Sequence, residues 1–130
     1  MIKSIALVLL GTATMALADD MAAKLPPPST KTGVTYATDI KPIFDASCVK
    51  CHTEGKKPKA RLALDSLAGV LKGSHDGKVV KPGDSAHSDL VRSVAHVGDP
   101  DGFMPKGKGA KKLSDEQIGL IRAWIDQGAK

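Results

Sequence analysis

Cys48-Val49-Lys50-Cys51-His52 contains both cysteines of this 130-residue chain. Two thiols at i and i+3 on a helix end can each add to one vinyl group of the same porphyrin. The histidine that follows then points its imidazole at the iron. C-x-x-C-H is for that reason the attachment pattern of c-type haem. Other chemistries fit less well. A structural disulfide suits an oxidising compartment. A thioredoxin-type dithiol expects strand–helix–strand context, and no strand pattern precedes Cys48. Tetrahedral zinc needs four ligands. Cys48, Cys51 and one of His75, His87 or His96 supply three, and there is no second C-x-x-C or H-x3-H. Haem attachment alone also accounts for His52.

The chain around this motif agrees with that reading. At 42% apolar and 25% charged residues it has the proportions of one globular domain. It has only two Phe, one Tyr and one Trp, so its own core is thin, and a flat apolar haem would complete it. Met1-Ile2-Lys3 gives a basic start, an apolar run spans Ile5 to Leu10, and Ala16-Leu17-Ala18 forms an A-x-A site before Asp19. That is the pattern of a secretory signal peptide over residues 1–18, cleaved after Ala18. Cleavage removes Lys3, so the formal charge of +5 falls to +4. No cysteine lies near the junction to carry a lipid. No apolar run reaches the roughly 18 residues of a membrane span. The mature protein is therefore expected in the periplasm or secreted, without stable membrane insertion.

Residues 19–35, with Pro26-Pro27-Pro28-Ser29-Thr30, predict an extended, mobile tether. The folded domain is expected over 36–130. Four segments carry helix signals. Thr38 to Cys48 places Ile40, Ile43 and Phe44 at helical spacing, with Thr38 as the cap and Pro42 in the first turn. Asp65 to Lys72 has Leu67, Val70 and Leu71 on one face and stops at Gly73. Ser85 to Val97 groups Leu90, Val91 and Val94 behind a Ser85 cap. Ser114 to Gln127 has the strongest pattern: Ser114 with Gln117 as a capping box, Leu113 with Ile118 as a staple, and a stripe of Ile118, Ile121, Trp124 and Ile125. Arg61 to Leu64 and Lys78 to Val80 suggest brief extended pairs. Gly98 to Gly109 is a loop with four Gly and two Pro. The expected fold class is all-α, with three to five helices around one covalently attached haem and long loops; such loops usually carry function.

His52 is the expected proximal iron ligand. Its other ring nitrogen should donate to a carbonyl, with Pro58 to Leu62 the expected source. For the distal side, Met104 sits in the Gly/Pro loop beside Pro105. A thioether there gives His/Met ligation and a raised reduction potential. The alternatives are His96 or His87 as a second imidazole, or an open iron. An open iron predicts small-ligand binding or peroxide and gas chemistry in place of electron carriage. Lys50, Lys56, Lys57 and Lys59 follow the haem motif, and Lys106, Lys108, Lys111 and Lys112 follow Met104. If both runs flank one haem edge they form a positive collar that steers an acidic redox partner. Otherwise they are a solvated surface. So few aromatics argue against nucleic-acid binding.

In order along the chain, Asp39-Ile40-Lys41-Pro42-Ile43-Phe44, C-x-x-C-H, Leu62-Ala63-Leu64-Asp65-Ser66, Val79-Val80-Lys81-Pro82-Gly83-Asp84, Met104-Pro105 and Trp124-Ile125-Asp126-Gln127-Gly128-Ala129 resemble the class I cytochrome c fold. More narrowly, they resemble the planctomycete-type cytochrome c domain. The resemblance implies one haem c bound by Cys48 and Cys51, with His52 and Met104 as axial ligands. It also implies a non-enzymatic role carrying single electrons between a redox donor and an acceptor. In class I cytochromes the first and last helices cross at the haem, so Phe44 and Trp124 are expected to meet there. The subfamily domain is often fused to larger modules; standing alone behind a tether favours a diffusible carrier.

Overall fold

The computed structural model describes residues 20–130, so the leader read at 1–18 lies outside the described residues. Among the described residues, 20–23 are helical, and four α-helices lie wholly within the described span: α1 (Lys41–Ser47), α2 (Leu67–Lys72), α3 (Asp89–Ala95) and α4 (Asp115–Asp126). Short single-turn helices and loops join them. The all-α class holds, and among the described residues the only β pairing is one isolated bridge, Ser74 to Gly77. The extended pairs expected at 61–64 and 78–80 do not form. Lys59–Arg61 coils into a 3-10 turn instead, and the Val79 carbonyl serves the Leu90 N–H at the start of α3.

The architecture is organised on α4. Ser114 Oγ accepts from Gln117 N at 3.1 Å, and Gln117 Oε1 accepts from Ser114 N at 3.0 Å. This capping box satisfies two backbone donors that the helix start leaves unpaired. Asp115 and Glu116 complement the positive end of the helix dipole. Leu113, Ile118, Ile121, Trp124 and Ile125 are all buried. At the other end, Gly128 N donates to Ile125 O and Ala129 N to Trp124 O, both at 2.9 Å. This Schellman closure needs the left-handed backbone that Gly128 supplies at φ 106°. Residue 130 is thereby brought back under the helix, where Lys130 O accepts from both Trp124 Nε1 (2.9 Å) and Tyr36 N (2.8 Å).

Tyr36 connects the N-terminal side to this end. It opens a π-helical turn, Tyr36–Ile40, that runs into α1. The expected Thr38 cap is displaced three residues upstream. Thr35 caps, because the wider turn extends the coil backwards and buries both Tyr36 and Ile40. The Tyr36 ring stands between Phe44 (6.2 Å, edge-on) and Trp124 (6.1 Å). The aromatics of the first and last helical segments thus meet through a third ring. Its hydroxyl donates to Leu64 O at 2.8 Å. Burial, with Asp45 and Asp65 nearby, pushes this phenol up to about 12, so it stays a donor at neutral pH.

α3 starts at Ser88 rather than Ser85, which lies in a preceding 3-10 turn. The Ser85 N–H and hydroxyl both bond Asp126, at 2.8 and 2.9 Å, which ties the entry of α3 to the end of α4.

The Pro-rich stretch does not stand free as its composition suggests. Ser29 N donates to Gly119 O at 2.8 Å, and Arg122 donates to Pro26 O. Gln127 brackets the exit, donating to Lys31 O and accepting from Val34 N. Leu25 and Val34 are buried. Polyproline backbone leaves its carbonyls unpaired, and α4 provides partners for them. The close approach depends on Gly119: a Cβ there would stand 2.8 Å from the Pro27 carbonyl oxygen. Gly119→Ala gains about 1 kcal/mol of helix propensity but overpacks a backbone atom, at a cost of about 1–3 kcal/mol. We expect net destabilisation, read as a lower Tm, with faster exchange of the Ser29 amide. An unchanged Tm and unchanged exchange would show that the strap is not seated there.

Candidate haem-attachment site

α1 ends at Ser47, and the next residues fold into one tight turn. Cys48 O accepts from both Cys51 N (3.1 Å) and His52 N (3.0 Å). That single carbonyl gathers the two thiols and the imidazole into one unit. Both cysteines are free thiols; Cys48 is half-buried and Cys51 exposed. Burial pushes the Cys48 thiol up to about 11, so it remains S–H at neutral pH, the form that adds across an alkene.

His52 is buried, and its Nδ1 lies 3.1 Å from Lys59 O and 3.0 Å from Leu62 O. Carbonyl oxygens only accept, so Nδ1 carries a proton, and in the neutral ring Nε2 carries the lone pair. Among the described residues nothing hydrogen-bonds Nε2. The ring is fixed in the tautomer a metal ligand requires. Both acceptors fall within the expected Pro58 to Leu62 span.

The loop that supplies these carbonyls is held by two sets of hydrogen bonds. Leu64 N donates to His52 O at 2.8 Å and Lys59 N to Cys51 O at 3.0 Å. Thr53 Oγ1 donates to Asp65 at 2.8 Å, and Glu54 N approaches the same carboxylate at 3.3 Å. Lys57, Ala60 and Arg61 all have left-handed backbone, at φ 47°, 55° and 55°. For residues with a Cβ this costs on the order of 1 kcal/mol or more each. None is Gly or Asn, so sequence gave no sign of the bend.

The structure places Met104 on the last turn of α3. Met104 N donates to Ser93 O at 3.1 Å, and Met104 O accepts from His96 Nε2 at 3.0 Å. Met104 is half-buried. The His96 ring stacks on Phe103, with centroids 4.7 Å apart and planes within 4°. Neither His96 nor Phe103 stood out in this role by sequence; a histidine eight residues before a Met in a Gly-rich loop is too loose a pattern. His96 Nε2 must carry a proton to serve the Met104 carbonyl, which removes that nitrogen as an iron ligand in this arrangement. His87 Nδ1 pairs with Asp84 at 2.8 Å, and the Asp84 carboxyl is held below its usual range, chiefly by that bond. His75 is exposed, with Nδ1 on Ala60 O. Among the described residues no cluster of three or more His, Cys, Asp or Glu is arranged to hold a metal, so the zinc alternative finds no support.

Residues 48–107 match the family model described as Planctomycete cytochrome C. Over this segment the chain is similar to that cytochrome c family. The match begins at Cys48 and runs past Met104-Pro105. No curated protein and no solved structure matches the chain. A cytochrome c domain binds haem c, and the residues fit that group: two reduced thiols on one turn and a buried imidazole whose Nδ1 donates to two carbonyls. Half-buried Cys48, Val49, Leu62 and Leu71 edge the core and would provide apolar surface for a haem macrocycle. No helix among the described residues is long and apolar enough to cross a membrane.

The loop from Thr53 to Asp65 has a pH signature. The Thr53 hydroxyl first, and then backbone N–H groups including that of Glu54, hold the Asp65 carboxyl below the ordinary value of 3.8. A carboxylate with a lowered folded pKa contributes stability that is complete above its unfolded value and lost as pH falls through the folded one. In acid unfolding followed by circular dichroism, Asp65→Asn should be less stable than wild type at pH 7. The two should converge below about pH 4. A gap that stays constant across that range would show that the carboxylate does not hold the loop.

Proposed function

We propose that this protein is an exported monohaem electron carrier with His52 and Met104 as axial ligands. The observation that carries the reading is the tautomer lock on His52, together with a Met104 whose backbone is pinned on both sides. The haem, when bound, supplies one-electron Fe(III)/Fe(II) cycling. The chain's own residues do the rest. Cys48 and Cys51 hold the group by two thioethers. His52 presents Nε2 while Lys59 O and Leu62 O keep its proton on Nδ1. These carbonyls also add electron density to the imidazole and raise its basicity as a ligand. A Met thioether opposite raises the potential relative to a second imidazole. The leader at 1–18 and a chain with one C-x-x-C-H support export and a single haem. A loop held rigid on both sides of the iron suits a carrier, because little rearrangement accompanies the change of oxidation state.

The absorption spectrum of the oxidised, haem-loaded protein tests the ligand set. Wild type should show the weak far-red band of an iron–thioether bond, and Met104→Ala should lose it. A wild type without the band would remove Met104 as a ligand and favour an open or bis-His site.

The partners we propose are acidic redox proteins. Lys50, Lys56, Lys57 and Lys59, and Lys106, Lys108, Lys111 and Lys112, are all exposed, beside the proximal turn and the Met loop respectively. Screening contracts from about 10 Å at 0.1 M salt to about 3 Å at 1 M. The second-order rate with an acidic redox protein should therefore fall steeply with ionic strength. A rate independent of salt would assign these lysines to solvation alone.

A further inference from the structure

The Met104 loop contains Gly98, Gly102, Gly107 and Gly109, which gives it wide backbone freedom. A ligand on such a loop leaves the iron easily unless something restrains it. The restraint is on the last turn of α3. His96 caps this helix in the left-handed region, at φ 57° and ψ 46°. From there its imidazole reaches the Met104 carbonyl, with Nε2 at 3.0 Å. Ser93 O, one turn earlier, takes the Met104 N–H at 3.1 Å. Phe103 lies flat against the imidazole at 4.7 Å and fixes its plane. Both backbone polar groups of Met104, and the side chain before it, are thus held against one helical turn. The thioether keeps only its own side-chain torsions.

We propose that His96, held flat by Phe103, is the positioning residue for the Met104 thioether, keeping the sulfur on the iron without being a ligand itself. This rests on the His52/Met104 reading above. Removing the Nε2 donor leaves a carbonyl unpaired and frees the loop. A larger share of molecules then has the sulfur off the iron, and an external ligand meets less competition.

The experiment compares haem-loaded wild type, His96→Ala, His96→Gln and Met104→Ala. Two readouts are followed on the oxidised protein: the far-red band and the affinity for added imidazole. Glutamine offers an amide N–H at similar reach, and both substitutes face the same left-handed backbone, so their difference isolates the donor. His96→Ala should weaken the band and bind imidazole about fivefold more tightly, the net value of one hydrogen bond. His96→Gln should return towards wild type. If wild type shows the band, Met104→Ala loses it, and His96→Ala matches wild type in both readouts, the clasp is overturned and the ligand assignment stands. Equal shifts in the Ala and Gln variants would also overturn it, because the donor would then be irrelevant. A wild type without the band, with imidazole affinity equal to that of Met104→Ala, overturns the ligand assignment and the clasp with it. Where His96→Ala fails to take up haem, Phe103→Leu serves: a smaller shift in the same direction supports the clasp, and none overturns it.

Discussion

Two backbone carbonyls converge on one imidazole nitrogen, and most of the fold can be traced outward from that point. Lys59 O and Leu62 O can aim at His52 only because the chain between them turns through left-handed Ala60 and Arg61. That turn is unfavourable by itself, so it has to be over-determined by its surroundings. Asp65, beyond the turn, accepts from Thr53 and Glu54 before it, and two residues beyond Leu62 the Leu64 carbonyl accepts the Tyr36 hydroxyl. Tyr36 lies against Trp124, and both the Tyr36 N–H and the Trp124 indole meet at the Lys130 carbonyl. A connected path therefore runs from His52 to the end of α4.

The parts of this arrangement differ in how far they could be read from residues alone. α4 was legible almost atom by atom. Ser114, Gln117, the Ile stripe and Gly128 are local signals, and each acts through bonds within a turn of itself. C-x-x-C-H was legible for the same reason, and the span that holds the His52 acceptors followed from chain reach. The start of α1 was misjudged because a π-helical turn leaves no mark in the hydrophobic period. The bend at residues 60 and 61 was invisible because neither residue is of a type that favours left-handed backbone. Its cause is tertiary, in the demand of His52 for acceptors. The Pro-rich stretch shows the opposite failure. Its local conformation was read correctly as extended. Whether an extended segment is free depends on a receiving surface, and that surface is created by the missing side chain of Gly119.

The His52 turn and the Met104 loop are built by different means. His52 is adjacent in sequence to Cys48 and Cys51, and side chain and loop restrain each other over about a dozen residues. Met104 lies in a glycine-rich loop with little stiffness of its own, and borrows rigidity from a helix terminus. The family match spans both segments and stops short of α4 and the Pro-rich strap. Those outer elements bury the aromatic centre that both segments stand on.

The docked strap also changes what residues before it can do. A flexible linker lets an attached group explore a sphere whose radius grows with the square root of its length. Here the chain is gripped at Pro26, Ser29, Lys31 and Val34, so anything joined upstream leaves the surface of α4 at a set point. A second redox group or a surface anchor added there would be held at a defined distance from the helical domain. Its tunnelling distance and docking angle would then be chosen by the position of the junction, and lengthening the Pro-rich stretch from within would loosen the grip before it extended the reach.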